Sequence, residues 1–278
     1  MVNKKIGTRW GKIIRNTFIA GAITVFIHIV HAATLDRMIE YKEVPFYSPN
    51  VPAEMNGYRI AFISDIHELA ETRLRKAAEE LNKKNVDLLL LGGDYLSNGE
   101  APLQMMEILS QITTTDGIYG VEGTHDNYLK SFTVMEELDI TPLSNSGLHL
   151  RDYLYLAGVE DMNRRKPDIS RAIEGALPED FVLLVSHKPD VTMTQGTDGV
   201  DLILCGHTHG GHITFFGVLA PALIPKAITR YGHRFMSGWS ASRDGVPVYV
   251  SRGIGSFAWV PRIFARPQVI LITLYLAQ

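Results

Sequence analysis

The sequence predicts a layered α/β fold with its helices on the outside, and three observations carry that prediction. Short apolar runs alternate with segments of helical period through the first half of the chain. The second half is richer in short apolar runs, at 181–185, 202–204, 246–251 and 269–275, which read as strands. Asp and His residues recur directly after such runs, and α/β sheets place their ligands at the carboxyl ends of strands.

Taken in order, residues 36–56 contain Pro45, Pro49 and Pro52 without a clear period and read as a connector or an edge segment. Residues 58–64 are strand-like. Residues 72–84 have a helical pattern, with Leu74, Ala77, Ala78 and Leu81 on one side. The near-continuous apolar run 86–91 suits a strand buried on both faces. A helix over 102–112, a strand over 118–121 and a helix over 130–138 follow. Residues 148–157 suggest a hairpin with Arg151-Asp152 at its turn, and 169–176 a helix. There is no internal repeat and no low-complexity segment.

Composition narrows the function. A chain of 278 residues, 46% hydrophobic and 21% charged, suits one large globular domain or one with small additions. The net charge of -3 and pI near 6.4 lack the basic excess of a nucleic-acid binder, so no nucleic-acid partner is expected. Cys205 is the sole cysteine, which excludes an internal disulfide and a thiolate metal cluster.

The N-terminus departs from this average. Lys4, Lys5, Arg9, Lys12 and Arg15 precede the apolar run 18–33, and no acidic residue appears before Asp36. A basic region followed by an apolar stretch reads as a membrane anchor or a signal segment over 1–35. At about 1.5 Å per residue the run falls somewhat short of the roughly 30 Å hydrocarbon core, and His28 and His31 interrupt its apolar character. Three readings stand: a retained single-pass helix, a cleaved signal, or a helix lying in the interface. A spanning helix with its basic end in the cytoplasm would place the rest of the chain outside. An interfacial helix would leave it cytoplasmic. The expected organisation is an anchor or signal at 1–35, a connector at 36–56 and a catalytic domain at 57–278.

The chemistry concentrates in Gly206-His207-Thr208-His209-Gly210-Gly211-His212. Alternate residues of an extended segment point to opposite faces, so both His meet one site only where the chain bends, and the glycines permit the bend. Upstream lie Asp65-Ile66-His67, Gly93-Asp94, Gly123-Thr124-His125-Asp126 and Ser186-His187, each after a strand-like run. A mixture of carboxylate and imidazole suits borderline divalent ions: Mn, Fe, Co, Ni or Zn. Two ions need a bridging oxygen, and a central Asp provides one.

This ordered set of motifs resembles the calcineurin-like metallophosphoesterase superfamily over roughly 58–276. It is most similar to a bacterial membrane-associated branch, some of whose members cleave the pyrophosphate of UDP-2,3-diacylglucosamine. Ser251-Arg252-Gly253-Ile254-Gly255 also resembles that branch. The resemblance implies a four-layer α-β-β-α sandwich and a binuclear phosphodiesterase or pyrophosphatase. Asp65, His67 and His209 would bind the first ion, His187 and His207 the second, and Asp94 both. A water or hydroxide between the ions would be the nucleophile. His125 would contact the phosphate and assist the leaving group, with Asp126 orienting it.

Two departures from the pattern matter. Thr124 stands where the family usually has an Asn whose carbonyl binds the second ion, and a Thr hydroxyl is shorter and a poorer neutral donor. His212 stands where the branch has Gln, and is a substrate-binding candidate or a surface residue. The expected substrate is a phosphoester, lipid-linked if the membrane anchor governs access. The alternatives are a catalytically weakened metal- or ligand-binding homologue and a phosphomonoesterase. Glu68, Glu71 and Arg73 read as a solvated helix start or a substrate rim. The late stretch of Trp239, Phe257, Trp259, Pro261, Arg262, Phe264 and Arg266 reads either as lipid-facing or as packed.

Overall fold

The structure, a computed structural model, describes residues 2–67, 69–220, 228–256 and 262–277. Two six-stranded sheets form its centre. The first sheet contains β1 (Glu40–Ser48), β2 (Arg59–Ile63), β3 (Leu88–Leu91), β4 (Ile118–Gly120), β5 (Ile140–Pro142) and β12 (Gln268–Leu276). Its order is β1-β12-β2-β3-β4-β5, and β2 to β5 run parallel. The second contains β6 (Ser146–Arg151), β7 (Leu154–Gly158), β8 (Phe181–Ser186), β9 (Leu202–Cys205), β10 (Gly238–Ala241) and β11 (Pro247–Val250). Its order is β10-β11-β9-β8-β7-β6, with β7, β8, β9 and β11 parallel.

Strand alternation builds the layers. Ile60, Phe62, Leu88 and Leu90 of the first sheet meet Leu156, Leu183, Val185 and Leu204 of the second in one buried cluster between the sheets. The residues between them, Ala61, Ile63, Leu89 and Leu91, point the other way. There they pack under α2 (Glu71–Asn82), α3 (Leu103–Leu109) and α4 (Tyr128–Glu137). On the far face of the second sheet, Val182, Leu184 and Ile203 pack with α5 (Ile169–Ala172) and α6 (Val191–Thr194). Both faces of each sheet are therefore apolar, which is why the parallel strands read as continuous runs. The result is the four-layer α-β-β-α sandwich.

Three details refine the sequence reading. The segment 40–48 is an edge strand, one of its two readings: β1 pairs in parallel with β12 from Glu40↔Gln268 to Ser48↔Leu276. Pro45 is tolerated there because an edge strand can leave one N–H position unpaired. Only Val44 and Phe46 of β1 are buried, so its apolar signal was thin. The hairpin turn falls at Asp152-Tyr153, one residue later than expected, because the pairing slips between His149 and Arg151. The helices at 102–112 and 169–176 are shorter, ending at Leu109 and Ala172.

At the N-terminus, α1 (Val2–Ala33) is one continuous helix. The segment 9–37, which runs from α1 through the turn after it, holds a window of mean hydropathy 1.9 with none of it buried against the protein. The helix is long and apolar enough to cross a membrane.

Candidate metal centre

The candidate ligands lie at the carboxyl ends of the central strands of both sheets. Asp65 and His67 follow β2, Asp94 follows β3, His187 follows β8, and His207 and His209 follow β9. Asp65, His67 and His209 offer donor atoms within 4.8 Å of one another, and so do Asp94, His187 and His207. Asp94 lies between the two groups. Its Oδ2 is 3.5 Å from His67 Nε2 and 3.2 Å from His187 Nε2. Its Oδ1 is turned away and accepts the backbone N–H of His125 at 2.7 Å.

The imidazoles face one another with their donor atoms. His67 Nε2 is 3.1 Å from His209 Nε2, and His187 Nε2 is 3.2 Å from His207 Nδ1. Carbonyl oxygens fix two of these rings from behind. His187 Nδ1 donates to Gly92 O at 2.7 Å, and His207 Nε2 to Ile228 O at 3.2 Å. Those bonds leave His187 Nε2 and His207 Nδ1 as the inward atoms, the orientation that a support behind a metal-ligating His provides. Nitrogens this close, aimed at a shared space beside carboxylates, fit a cation between them.

The backbone is strained where these residues sit. Asp65 (φ 55°), His67 (44°), Asp94 (57°), His207 (72°), His209 (50°) and His212 (57°) all occupy the left-handed region. Such a conformation in a non-glycine residue costs of order 1–3 kcal/mol. It aims alternate residues into one centre, which an extended strand cannot do.

The sequence profile of the calcineurin-like phosphoesterases matches residues 58–211, just over half of the chain. The chain belongs to this family. The metallophosphoesterase is similar to a zebrafish (Danio rerio) transmembrane protein with metallophosphoesterase domain, 26% identical over 94% of this chain and 63% of that protein. It is similar to an uncharacterized metallophosphoesterase of Helicobacter pylori, 29% identical over 82% of this chain and 62% of that one. It is also similar to the uncharacterized metallophosphoesterase YkuE of Bacillus subtilis, 25% identical over 92% of both. The chain spans a little under two-thirds of the length of the first two.

Protonation in the metallophosphoesterase centre follows from burial and charge. Burial pushes His67 down to about 4 and His207 down to about 3, with Asp94 opposing in both cases. Burial, with Arg262 adding its charge, holds His209 well below its ordinary value. All three are neutral imidazoles at pH 7, the form that binds a cation. His187 differs. Burial works against its charge, but the charge and hydrogen bond of Asp94 outweigh burial and raise it well above 6.5. A raised pKa stabilises the fold fully below the unfolded value, about 6.5, and the benefit is lost as pH rises through the folded value. The metal-free chain should therefore melt at progressively lower temperature as pH climbs above neutrality, and saturating divalent metal should remove that slope. Melting curves with and without chelator check this; an unchanged slope with metal would contradict it.

Thr124 and its neighbours hold one another through hydrogen bonds. Thr124 Oγ1 donates to the Asp161 carboxylate at 3.3 Å to each oxygen and lies 3.4 Å from Asn163 Nδ2. Asp161 is buried, follows β7, and its charge acts on His187. The sequence reading passed over Asp161, although its place after an apolar strand is the signal that marked the others. Asp126 accepts the N–H groups of Asp94 (2.8 Å), Tyr95 (2.8 Å) and Gly123 (2.7 Å). It thereby buttresses the loop that carries Asp94. His125 is half-buried, its ring 5.6 Å from that of His67. His212 lies 5.0 Å ring to ring from His209.

The late loop 251–255 is part of the site wall. Ile254 N donates to Ser64 O and Gly255 N to Asp65 O. A Cβ on Gly253, whose φ is 65°, would meet Asp65 Cβ at 2.5 Å, and one on Gly255 would collide with the carbonyl of Ile66. Ala at either position should shift Asp65 and weaken metal binding at the first group tenfold or more, the scale of a disturbed ligand support (~10–100-fold); metal titration of each variant reads this. Arg262 is buried, not lipid-facing. It donates to Gly255 O and Ala265 O at 2.9 Å and to His209 Nδ1 at 3.1 Å, tying this loop to the His209 loop. Phe257, Trp259 and Pro261 lie outside the described residues, as does Glu68. Glu71 pairs with Arg75 on the exposed face of α2, as a solvated helix start should.

Proposed function

We propose that the chain hydrolyses a phosphodiester or pyrophosphate bond at a pair of divalent ions. Asp65, His67 and His209 would hold one ion, His187 and His207 the other, and Asp94 both. The observation that carries this reading is the position of Asp94 Oδ2, within 3.5 Å of an imidazole from each group. When bound, the two ions supply an activated water and neutralise charge on the phosphoryl oxygens. The chain's own residues do the rest. The buried ligands exclude bulk water from one side of the reacting phosphate. His125, nearer the surface, would hold a proton for the departing oxygen. His212 borders His209 on the substrate side. The basic N-terminal end of α1 favours a cytoplasmic start and an outside catalytic domain, so a lipid-linked substrate is the proposed class.

Elemental analysis of the purified chain should give about two transition metals per chain. The same preparation should cleave bis(p-nitrophenyl) phosphate faster than p-nitrophenyl phosphate. One ion or none, with no turnover in excess Mn, would reject the reading in favour of a binding protein. Preference for the monoester would instead make the chain a phosphomonoesterase.

The weakened-site alternative has one specific observation behind it, the Thr124 hydroxyl engaged by Asp161. Thr124→Asn should tighten the second ion, because a carboxamide oxygen is a better neutral donor and reaches further, and turnover should be kept or raised. Metal titration and steady-state rates check this. If metal content and activity both stay put, position 124 does not touch the ion.

A further inference from the structure

The turn at 215–219 leaves four large apolar side chains in the open directly beside the metal centre. Phe215 is 59% exposed, Phe216 51%, Val218 85% and Leu219 58%. A water-soluble surface rarely leaves so many adjacent apolar groups uncovered, and such patches mark interaction sites. The turn starts three residues after His212 and is tightly closed. Phe215 N donates to Leu219 O at 2.7 Å, and Gly217 N to Thr214 Oγ1 at 3.0 Å. Phe216 (φ 51°) and Gly217 (75°) take the left-handed conformation that the reversal needs.

What holds the turn also connects it to α1. Thr214 Oγ1 donates to Phe264 O at 2.9 Å, and Phe264 N donates to Asp36 Oδ2 at 2.8 Å. Asp36, just past the helix, also receives His31 Nδ1 at 2.9 Å. His31 stacks on Phe264 with centroids 3.8 Å apart. His28 meets Phe215 at 5.1 Å and Phe216 at 4.7 Å. The turn is therefore fastened level with the last turns of the helix, not with its tip. His28 precedes the end of α1 by five residues, or about 7 Å along the axis. Apolar groups that lie in the interface bury roughly 5–10 Å into the headgroup and acyl boundary.

We propose that 215–219 is a membrane-inserting loop. Together with α1 it seats the mouth of the metal centre on the bilayer that the helix crosses, so that phosphoesters carried in the headgroup layer enter from the side. The occupant of this apolar patch is the lipid surface itself, because the helix beside it also leaves its apolar side chains exposed, Ile19, Ile23, Phe26 and Ile29 among them. The inference rests on the membrane placement proposed above, and its test uses neither metal nor turnover.

The test is depth-dependent quenching on the full chain reconstituted in phosphatidylcholine vesicles. Cys205 is fully buried, so Val218→Cys offers a single accessible thiol for an environment-sensitive fluorophore. Phe18→Cys on α1 and Leu177→Cys, at the opposite strand ends before β8, serve as references. The expected result is quenching at 218 by lipids brominated high on the acyl chains, with a blue shift and several-fold weaker iodide quenching than at 177. Position 18 should respond to deeper bromines. If 18 is quenched while 218 stays open to iodide, the loop is in water and the proposal fails while the span stands. If 218 is shielded from iodide yet untouched by brominated lipid, a second copy covers the patch and the proposal fails. If 18 is not quenched, the span and the loop fail together.

Discussion

Asp94→Asn is expected to lose both metal ions and at least ~1000-fold in turnover, since stabilisation of a few kcal/mol from the ions disappears with them. The argument rests on one atom. Asp94 Oδ2 faces His67 on one side and His187 on the other, so a single carboxylate charge serves both groups. Burial raises the cost of that charge, but His187 and His67 outweigh burial and hold Asp94 below the ordinary carboxylate range. The Asn variant keeps an oxygen for the His125 N–H and keeps the side-chain volume, so the loop has little reason to rearrange. It removes the negative charge from between two cation positions. The charge on His187 is held less strongly too, because Asp94 is the first of the carboxylates that raise its pKa, ahead of Asp65 and Asp161. Elemental analysis and a melting curve separate the outcomes. A folded variant without metal supports the shared-ligand geometry. A folded variant that keeps one ion at full occupancy shows that the two groups bind independently. A variant that keeps full activity overturns the binuclear reading.

The residues that the structure brings together were legible in the sequence because they follow strand ends. Each of Asp65, Asp94, His187 and His207 follows a run buried on both faces, and such runs stand out as continuous apolar text. The bend that brings His207 and His209 to one centre was legible through the glycines around them. What the sequence concealed depends on contacts between distant segments. Strand β1 buries only Val44 and Phe46 and is defined by its pairing with β12, more than two hundred residues later, so nothing local announces it. Arg262 lies in a stretch that read as either lipid-facing or packed, and its burial follows from the carbonyls of Gly255 and Ala265. Asp161 had the right position after a strand, but no neighbouring His to draw attention to it. Asp126, which the resemblance assigns to orienting His125, accepts the backbone N–H groups of Asp94, Tyr95 and Gly123, contacts that no local pattern announces.

Its place outside both ligand groups, at their open edge, sets His125 apart from the other imidazoles and makes His125→Asn the second large effect. His67, His187 and His209 are buried, while His125 is half-buried at the edge of the first group. Its backbone N–H is fixed by Asp94, so the ring is placed relative to the bridge between the two groups. A group in that position can reach a substrate oxygen on the open side without giving up a ligand. Loss of a positioned proton donor costs typically ~10²–10⁴-fold. The loss should depend on the leaving group. A p-nitrophenolate departs without a proton, so His125→Asn should slow bis(p-nitrophenyl) phosphate only modestly. A diester with an alkyl leaving group needs that proton, and its kcat should fall by the full factor with metal content unchanged. Equal losses on both substrates would mean that His125 binds the phosphate without donating to the leaving oxygen. Loss of metal in the variant would mean that it supports the ligands instead.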